Sequence, residues 1–139
     1  GVEQFYWYFY ANVDWVSILH NRSGLVSGYK SGFKEKLAFE AFENVKNTLG
    51  DLYFSHIVNE SDDLYCYMFT DKTNAPKAMI AWRPSSENHL DKNWVEIPFK
   101  HQIKNVKQVI YNSQEVSYKR EVNKLKIALS GIPVIVVLR

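Results

Sequence analysis

The sequence is poor in the residues on which metal and redox chemistry depends. It has a single cysteine, Cys66, among 139 residues, and one thiol forms neither an internal disulfide nor a cysteine-based zinc site. A Gly-rich phosphate loop, an HExxH motif and a CxxC motif are all missing. We therefore predict no cofactor and no metal site. Cys66 lies in the strand-like run 64–69, where a buried and inert thiol is expected.

Charge of one sign is also scarce. The formal net charge is +2, and the lysines of 100–107 alternate with apolar residues instead of forming a basic face. This pattern predicts no nucleic-acid partner, because nucleic-acid binding needs concentrated positive charge. No run approaches the ~18 apolar residues of a membrane span, so we expect no membrane association. The start of the sequence lacks the basic segment and cleavage pattern of a signal peptide.

Aromatic residues are plentiful instead, at 15% of the chain. The run Val2–Tyr10 is almost unbroken in aromatic residues, and a strand that is apolar on both faces is typical of a parallel sheet covered by helices. The polar stretch Ala11–Ser31 follows it. Connections of that length in compact domains are usually functional.

A helix is predicted over Phe33–Leu49. Its apolar residues recur at helical spacing: Phe33, Leu37, Ala38, Ala41, Phe42, Val45 and Leu49. Ser31 or Gly32 is expected to cap its start, and Gly50 to end it in the left-handed conformation. Strand, loop and helix together make one β/α unit, which we assign to residues 1–50.

Residues 51–139 have the pattern of short strands separated by turn residues. The predicted strands are Leu52–Asn59, Leu64–Thr70, Lys77–Arg83, Trp94–Phe99, Val106–Tyr111, Glu115–Tyr118, Lys124–Leu129 and Pro133–Leu138. Such spacing is typical of an antiparallel β-sandwich. The acidic turn of Glu60, Asp62 and Asp63 could bind Ca²⁺, but the turn propensities of these residues favour a solvated hairpin tip.

A single β/α unit leaves apolar surface uncovered. A strand that is apolar on both faces needs neighbours on both edges and helices on both faces, and one helix does not supply them. The remaining apolar patch exceeds what soluble monomers usually expose. We therefore expect the unit to pair with barrel strands that are missing from this chain, or with another copy of the chain.

Several stretches carry a resemblance to a known family. They are Gly1–Tyr8, Ser23–Val26, Lys36–Phe42 and Leu129–Val136, with shorter motifs at Phe69, Ala81–Arg83 and Ile97–Pro98. The first three resemble the last β/α unit of clan A glycoside hydrolases, the family-39-like and family-5-like enzymes being nearest. Leu37 stands where the helix of that family usually has proline. The stretch Leu129–Val136 is similar to the terminal strands of the β-sandwich that follows such barrels.

The resemblance implies an α+β fold: one strand–helix unit from the end of a (β/α) barrel, followed by an antiparallel β-sandwich domain at residues 51–139. The two catalytic carboxyls of these enzymes lie on earlier strands, so the resemblance implies a non-catalytic C-terminal fragment of a glycoside hydrolase. Its β-domain would pack on the barrel, and carbohydrate would be the partner, bound through the parent barrel.

Barrel active sites lie at the C-terminal ends of the strands. The substrate-binding residues that the resemblance implies are therefore Trp7, Tyr10, Asn12, Asp14 and Trp15. An aromatic ring there could stack on a sugar, and an amide or carboxylate could bond its hydroxyls. The alternative is that part of the aromatic run belongs to the barrel core and that Trp15 packs under the loop.

Two other functions stay open. A self-contained carbohydrate-binding or interaction module would use exposed aromatic residues of the β-domain, with Trp82 and Trp94 as candidates. Both tryptophans are nevertheless expected in the core, because they lie among alternating apolar residues. The third possibility is a structural domain that assembles through its first strand.

Overall fold

The structure is a computed structural model, and it describes residues 10–13, 24–84, 90–111 and 114–139. Its internal contacts divide the chain into two compact units, Gly1–Glu43 and Asn44–Arg139. Of the strand predicted at Val2–Tyr10, only Tyr10 is among the described residues. That strand stays a prediction.

The described part of the first unit is built around a short backbone ladder. Ala11 bridges Val26 in the parallel sense, and Val26 bridges Glu35 in the antiparallel sense. Val26 is 1% exposed, so the central residue of the ladder is buried. A 3-10 turn at Tyr29–Ser31 connects the last two segments, and Gly32 ends it at φ 74°, a conformation that glycine adopts without steric cost.

The helix α1 covers Leu37–Leu49 and starts later than the predicted Phe33. Phe33 has a positive φ of 53°, which no helical residue adopts. The segment after it joins the ladder instead, because the backbone N–H of Ser27 donates to the carbonyl of Lys34 at 2.7 Å. The ladder with residues 26–27 therefore competes successfully with the helical periodicity.

The start of α1 is set by Lys36. The backbone N–H groups of Phe39 and Glu40 donate to the Lys36 carbonyl at 2.8 and 3.3 Å, which places Lys36 at the N-cap. The predicted caps Ser31 and Gly32 are wrong, since both belong to the 3-10 turn and its end.

Gly50 ends α1 for a different reason from the one predicted. Among the described glycines, Gly32 is the one with a positive φ, so the left-handed stop predicted at Gly50 is wrong. The N–H of Gly50 donates to the carbonyl oxygen of Lys46 at 2.9 Å. A Cβ at this position would lie 2.4 Å from that same oxygen. Glycine is therefore required by a close backbone approach.

The second unit contains eight strands within its described residues. They are β1 Tyr53–Glu60, β2 Tyr65–Thr70, β3 Pro76–Trp82, β4 Asn93–Pro98, β5 Ile103–Gln108, β6 Tyr118–Glu121, β7 Lys124–Leu129 and β8 Val134–Leu138. The order β1-β2-β3-β8-β5 makes a five-stranded sheet, and β4-β7-β6 makes a three-stranded sheet. All pairs are antiparallel. The predicted α+β fold class, with a β-sandwich after the helix, is confirmed.

The strands alternate between a buried and an exposed face. In β2 the residues Cys66 and Met68 are buried, as is Leu64 just before the strand, and the residues between them are half-buried. A single core cluster joins these side chains to residues of the other sheet, including Ile97 and Ile127, both 0% exposed. Period-two burial on two facing sheets is the sandwich arrangement.

Within the described residues, no helix is long and apolar enough to cross a bilayer.

Candidate functional site

Of the five residues predicted to bind substrate, the structure describes two, Tyr10 and Asn12. Trp7, Asp14 and Trp15 lie outside the described residues. Tyr10 is 65% exposed, and Asn12 is half-buried. The structure brings these two together at the ladder of the first unit.

Backbone hydrogen bonds fix the segment that carries Tyr10 and Asn12. The N–H of Val26 donates to the Tyr10 carbonyl at 3.0 Å, and the N–H of Asn12 donates to the Val26 carbonyl at 3.0 Å. The phenol of Tyr10 is thus attached to a fixed backbone while most of its surface faces solvent. An exposed ring on a fixed segment is the geometry that stacking on a flat ligand needs.

The Asn12 side chain has a structural role that the sequence did not reveal. Its Oδ1 accepts a hydrogen bond from the backbone N–H of Gly24 at 3.0 Å and another from Lys36 Nζ at 3.4 Å. The same Lys36 Nζ donates to the Gly24 carbonyl at 2.7 Å. This network of three residues, which we call the Asn12 network, links positions 12, 24 and 36.

Gly24 belongs to the Asn12 network for steric reasons. A Cβ on Gly24 would lie 2.5 Å from the carbonyl carbon of Ala11 and 2.5 Å from the backbone nitrogen of Asn12. Both neighbours are backbone atoms that cannot move aside without breaking the ladder. Only glycine therefore permits this approach.

The outer surface of the five-stranded sheet carries a cluster of aromatic rings, which we call the aromatic face. Its members are Phe54, Tyr65, Tyr67, Phe69 and Trp82. The Trp82 ring lies 5.3 Å from that of Tyr65 and 5.5 Å from that of Tyr67, and Phe54 lies 6.3 Å from both Tyr67 and Phe69. These are contact distances for aromatic pairs. Phe54 is 58% exposed, and the other four rings are half-buried.

The outer surface of the three-stranded sheet is polar in contrast, and we call it the ion-paired face. Glu96 on β4 pairs with Lys124 at 2.9 Å and Lys126 at 3.1 Å on β7, and Lys126 also lies 3.6 Å from Glu121 on β6. Hydrogen bonds from Lys124 and Lys126 hold the pKa of the Glu96 carboxyl below its usual range. Alternating charges of this kind suit a surface in contact with water.

Trp94 lies on the ion-paired face, so the prediction that it belongs to the core is wrong. It is 62% exposed and stands opposite Ala128 on β7. Its neighbours Val95 and Ile97 take the inward positions of β4. The strand itself was predicted correctly. The error was in the side of the strand that faces the core, because Val95 and Ile97 point inward and Trp94 points outward. Trp82, by comparison, is half-buried within the aromatic face.

The remaining reactive groups are a buried thiol and an exposed acidic turn. Cys66 is 0% exposed, and burial raises the pKa of its thiol to about 12, which suppresses the reactive thiolate. Glu60, Asp62 and Asp63 are exposed at the β1–β2 turn. No group of three or more metal-ligating side chains occurs in the part of the chain that the structure describes.

Comparison with known proteins gives a relationship at the level of fold. No protein-family model matches the sequence, and no curated protein matches it. Among solved structures, the fold is similar, with a TM-score of 0.73, to a family 39 glycoside hydrolase from the gut symbiont Bacteroides cellulosilyticus WH2. The sequence identity is 16%, and the match covers 94% of this chain and 25% of that chain. This chain thus has the architecture of about a quarter of that enzyme, and fold alone does not transfer an activity.

Proposed function

We propose that this chain is a non-catalytic C-terminal portion of a glycoside hydrolase, whose β-domain packs against a (β/α) barrel and supports it. The observation that carries the proposal is the fold match, which takes in 94% of this chain but 25% of a family 39 hydrolase. A match that covers nearly all of this chain but only a quarter of the other chain is expected when a chain corresponds to one part of a larger enzyme. The motif at Lys36–Phe42 and the closing stretch Leu129–Val136 support the same reading.

The two outer surfaces of the sandwich suggest which side contacts the rest of such an enzyme. On the ion-paired face, Glu96 forms ion pairs with Lys124 and Lys126, as is usual for a solvent-exposed surface. On the aromatic face, Phe54 is 58% exposed, and Ile57, which stands opposite Tyr67 in the β1–β2 pairing, is 53% exposed. Fully burying a side chain of this size contributes about 1.5–3 kcal/mol, so covering the exposed half of each one contributes about 1–1.5 kcal/mol to an interface. We assign the aromatic face to contact with parts of the parent protein outside this chain.

The helix α1 presents a second uncovered apolar surface. Leu37, Phe42 and Val45 are 46%, 41% and 37% exposed, and Leu49 is the buried residue of the helix. An amphipathic helix normally buries its apolar stripe. The missing barrel strands are the proposed partner of this stripe, and a second copy of the chain is the alternative.

Within the parent enzyme, Tyr10 and Asn12 would form part of the wall of the sugar-binding cleft, together with Trp7, Asp14 and Trp15. The exposed Tyr10 ring on its fixed backbone supports this role. Asn12 would act chiefly by holding that backbone, because its Oδ1 is occupied by Gly24 and Lys36.

The first test compares this chain with the full-length product of its gene. We expect the longer protein to carry a barrel with two catalytic carboxyls and to hydrolyse aryl glycosides. This chain alone should give no turnover above buffer. Specific turnover by the chain alone, persisting through repeated purification, would refute the proposal.

The second test examines the assigned contact surface. Phe54→Gln and Ile57→Gln should lower the melting temperature of this chain only slightly, because both side chains are more than half exposed and Phe54 loses only its ring contacts with Tyr67 and Phe69. The same changes should lower the melting temperature of the full-length protein by more. Trp94→Gln is the matched control, since Trp94 is equally exposed but on the ion-paired face. Equal shifts for all three variants in both proteins would argue against the assignment.

A second candidate function is carbohydrate binding by the β-domain itself, and the 62% exposure of Trp94 favours it. Calorimetric titration with a panel of neutral glycans separates the two proposals. Saturable binding that Trp94→Ala abolishes and Trp82→Ala preserves would support the binding module.

A further inference from the structure

The second unit contains a groove of about 840 Å³ at one end of the sandwich. Asp51 and Tyr53 border it where α1 leads into β1, Lys72 borders it from the β2–β3 turn, Lys104 from β5, and Arg139 from the residue after β8. Lys77 on β3 also borders the groove, so four cations line it. Of these, Lys72, Lys104 and Arg139 come from three parts of the chain that are far apart in sequence, so local sequence patterns do not reveal their convergence.

Part of the charge in this groove is neutralised internally. Asp71 lies 3.5 Å from Lys77 and accepts hydrogen bonds from the Thr73 hydroxyl and backbone at 2.6 and 2.8 Å. These bonds, with those from Ala75 and the charge of Lys77, lower the pKa of Asp71 to about 2. Asp71 is therefore ionised at neutral pH. Its carboxylate is already engaged by the hydrogen bonds of the β2–β3 turn and by Lys77.

The other three cations are left without such partners. Among the hydrogen bonds and ion pairs of the described residues, none involves the side-chain nitrogens of Lys72, Lys104 or Arg139. Asp51 is the remaining carboxylate of the groove. The lining thus keeps an excess of positive charge available to a ligand.

We infer that this groove binds an acidic oligosaccharide, a sugar chain that bears carboxylate or sulfate groups. Tyr53 is 63% exposed, and its ring offers a flat apolar surface to the C–H face of a sugar. Lys72, Lys104 and Arg139 pair with the anionic groups through charge-assisted hydrogen bonds. The carboxylate of Asp51 accepts hydrogen bonds from sugar hydroxyls.

The same lining disfavours nucleic acid. A nucleic-acid surface needs a continuous basic stripe along a phosphate backbone, whereas the Asp51 and Asp71 carboxylates interrupt this groove. A simple inorganic anion would not use the Tyr53 ring. The inference goes beyond the proposed function and is independent of it, because it concerns binding by this chain alone.

The test is a titration of this chain with a galacturonic acid hexasaccharide at about 50 mM and about 200 mM salt. The neutral xylose hexasaccharide, sodium sulfate and a single-stranded DNA oligonucleotide are the comparison ligands. We expect saturable binding of the uronate that weakens with salt, and at least about tenfold weaker binding of the neutral sugar. Exposed ion pairs of this kind are individually weak, so Lys72→Gln with Lys104→Gln should weaken uronate binding by about tenfold.

Two variants make the result specific to the groove. Lys92→Gln with Lys100→Gln removes the same charge from exposed positions outside the groove and should change binding by less than about twofold. Tyr53→Ala should weaken the uronate and leave any sulfate binding unchanged. Equal losses in the two lysine pairs, no saturable uronate binding, or preferential binding of the DNA would each overturn the inference. Turnover assays on the full-length protein decide the proposed function separately.

Discussion

The buried thiol of Cys66 makes a quantitative prediction about alkaline stability. Burial raises its pKa from the ordinary 9.0 to about 12, so the unfolded state loses this proton first as the pH rises. The stabilising contribution is complete below about pH 9 and is lost progressively as the pH rises through about 12. A difference of three pKa units corresponds to about 4 kcal/mol in full, with about 1 kcal/mol lost by pH 10 and about 3 kcal/mol by pH 11.

The measurement is urea denaturation of the wild type and Cys66→Ala at several pH values between about 8 and 11. The alanine variant should be less stable by a constant offset of about 1 kcal/mol at the lower end, because a small cavity is created. As the pH rises, the gap should close and then reverse, since lysine and tyrosine titrations are common to both proteins. Parallel pH profiles would refute the reasoning. A thiol reagent should likewise react with Cys66 only after unfolding.

Three further predictions follow from the packing and the turns. Ile127→Ala removes a side chain that is 0% exposed in the core cluster and should lower the free energy of unfolding by about 2–5 kcal/mol in urea denaturation. Gly24→Asn should accelerate amide hydrogen exchange at Val26 by at least about tenfold, because a Cβ at position 24 clashes with the backbone of Ala11 and Asn12. The control Gly32→Asn should leave this exchange rate unchanged, because asparagine tolerates the positive φ at position 32. Asp71 should titrate by NMR with a midpoint of about 2, so its contribution to stability is present above the unfolded value of 3.8 and is lost as the pH falls through about 2.

The strands of the β-domain were predictable because period-two alternation is a local signal. Lys124–Leu129 was predicted with the bounds that β7 has in the structure. The prediction Val106–Tyr111 lay three residues too late, since β5 covers Ile103–Gln108. Tyr111, three residues beyond the strand, has a positive φ of 56° and is not extended. Apolar residues continue past the end of β5, so composition alone does not mark its boundary.

The start of α1 and the Asn12 network could not be predicted from the sequence, because both depend on contacts between residues that are far apart along the chain. Residues 33–36 fit the helical period, but their backbone pairs with Ser27 and Val26 across the 3-10 turn. The partners of Asn12 lie 12 and 24 residues away along the chain. Only tertiary structure brings such groups together, and a single sequence carries no signal of the pairing. The steric demand at Gly24 arises in the same way.

The β-sandwich and the helix α1 differ in how much of their apolar surface is buried, and this difference bears on the proposed function. The core cluster of the β-domain draws on both sheets and contains side chains that are 0% exposed, such as Met79, Leu125 and Leu129. A sandwich with such a core is stable through its own packing. The helix α1 has one buried residue, Leu49, in an apolar stripe that is otherwise half-buried or exposed. Helical stability comes mostly from tertiary burial of that stripe, so α1 is the element whose stability should depend most on a partner outside this chain.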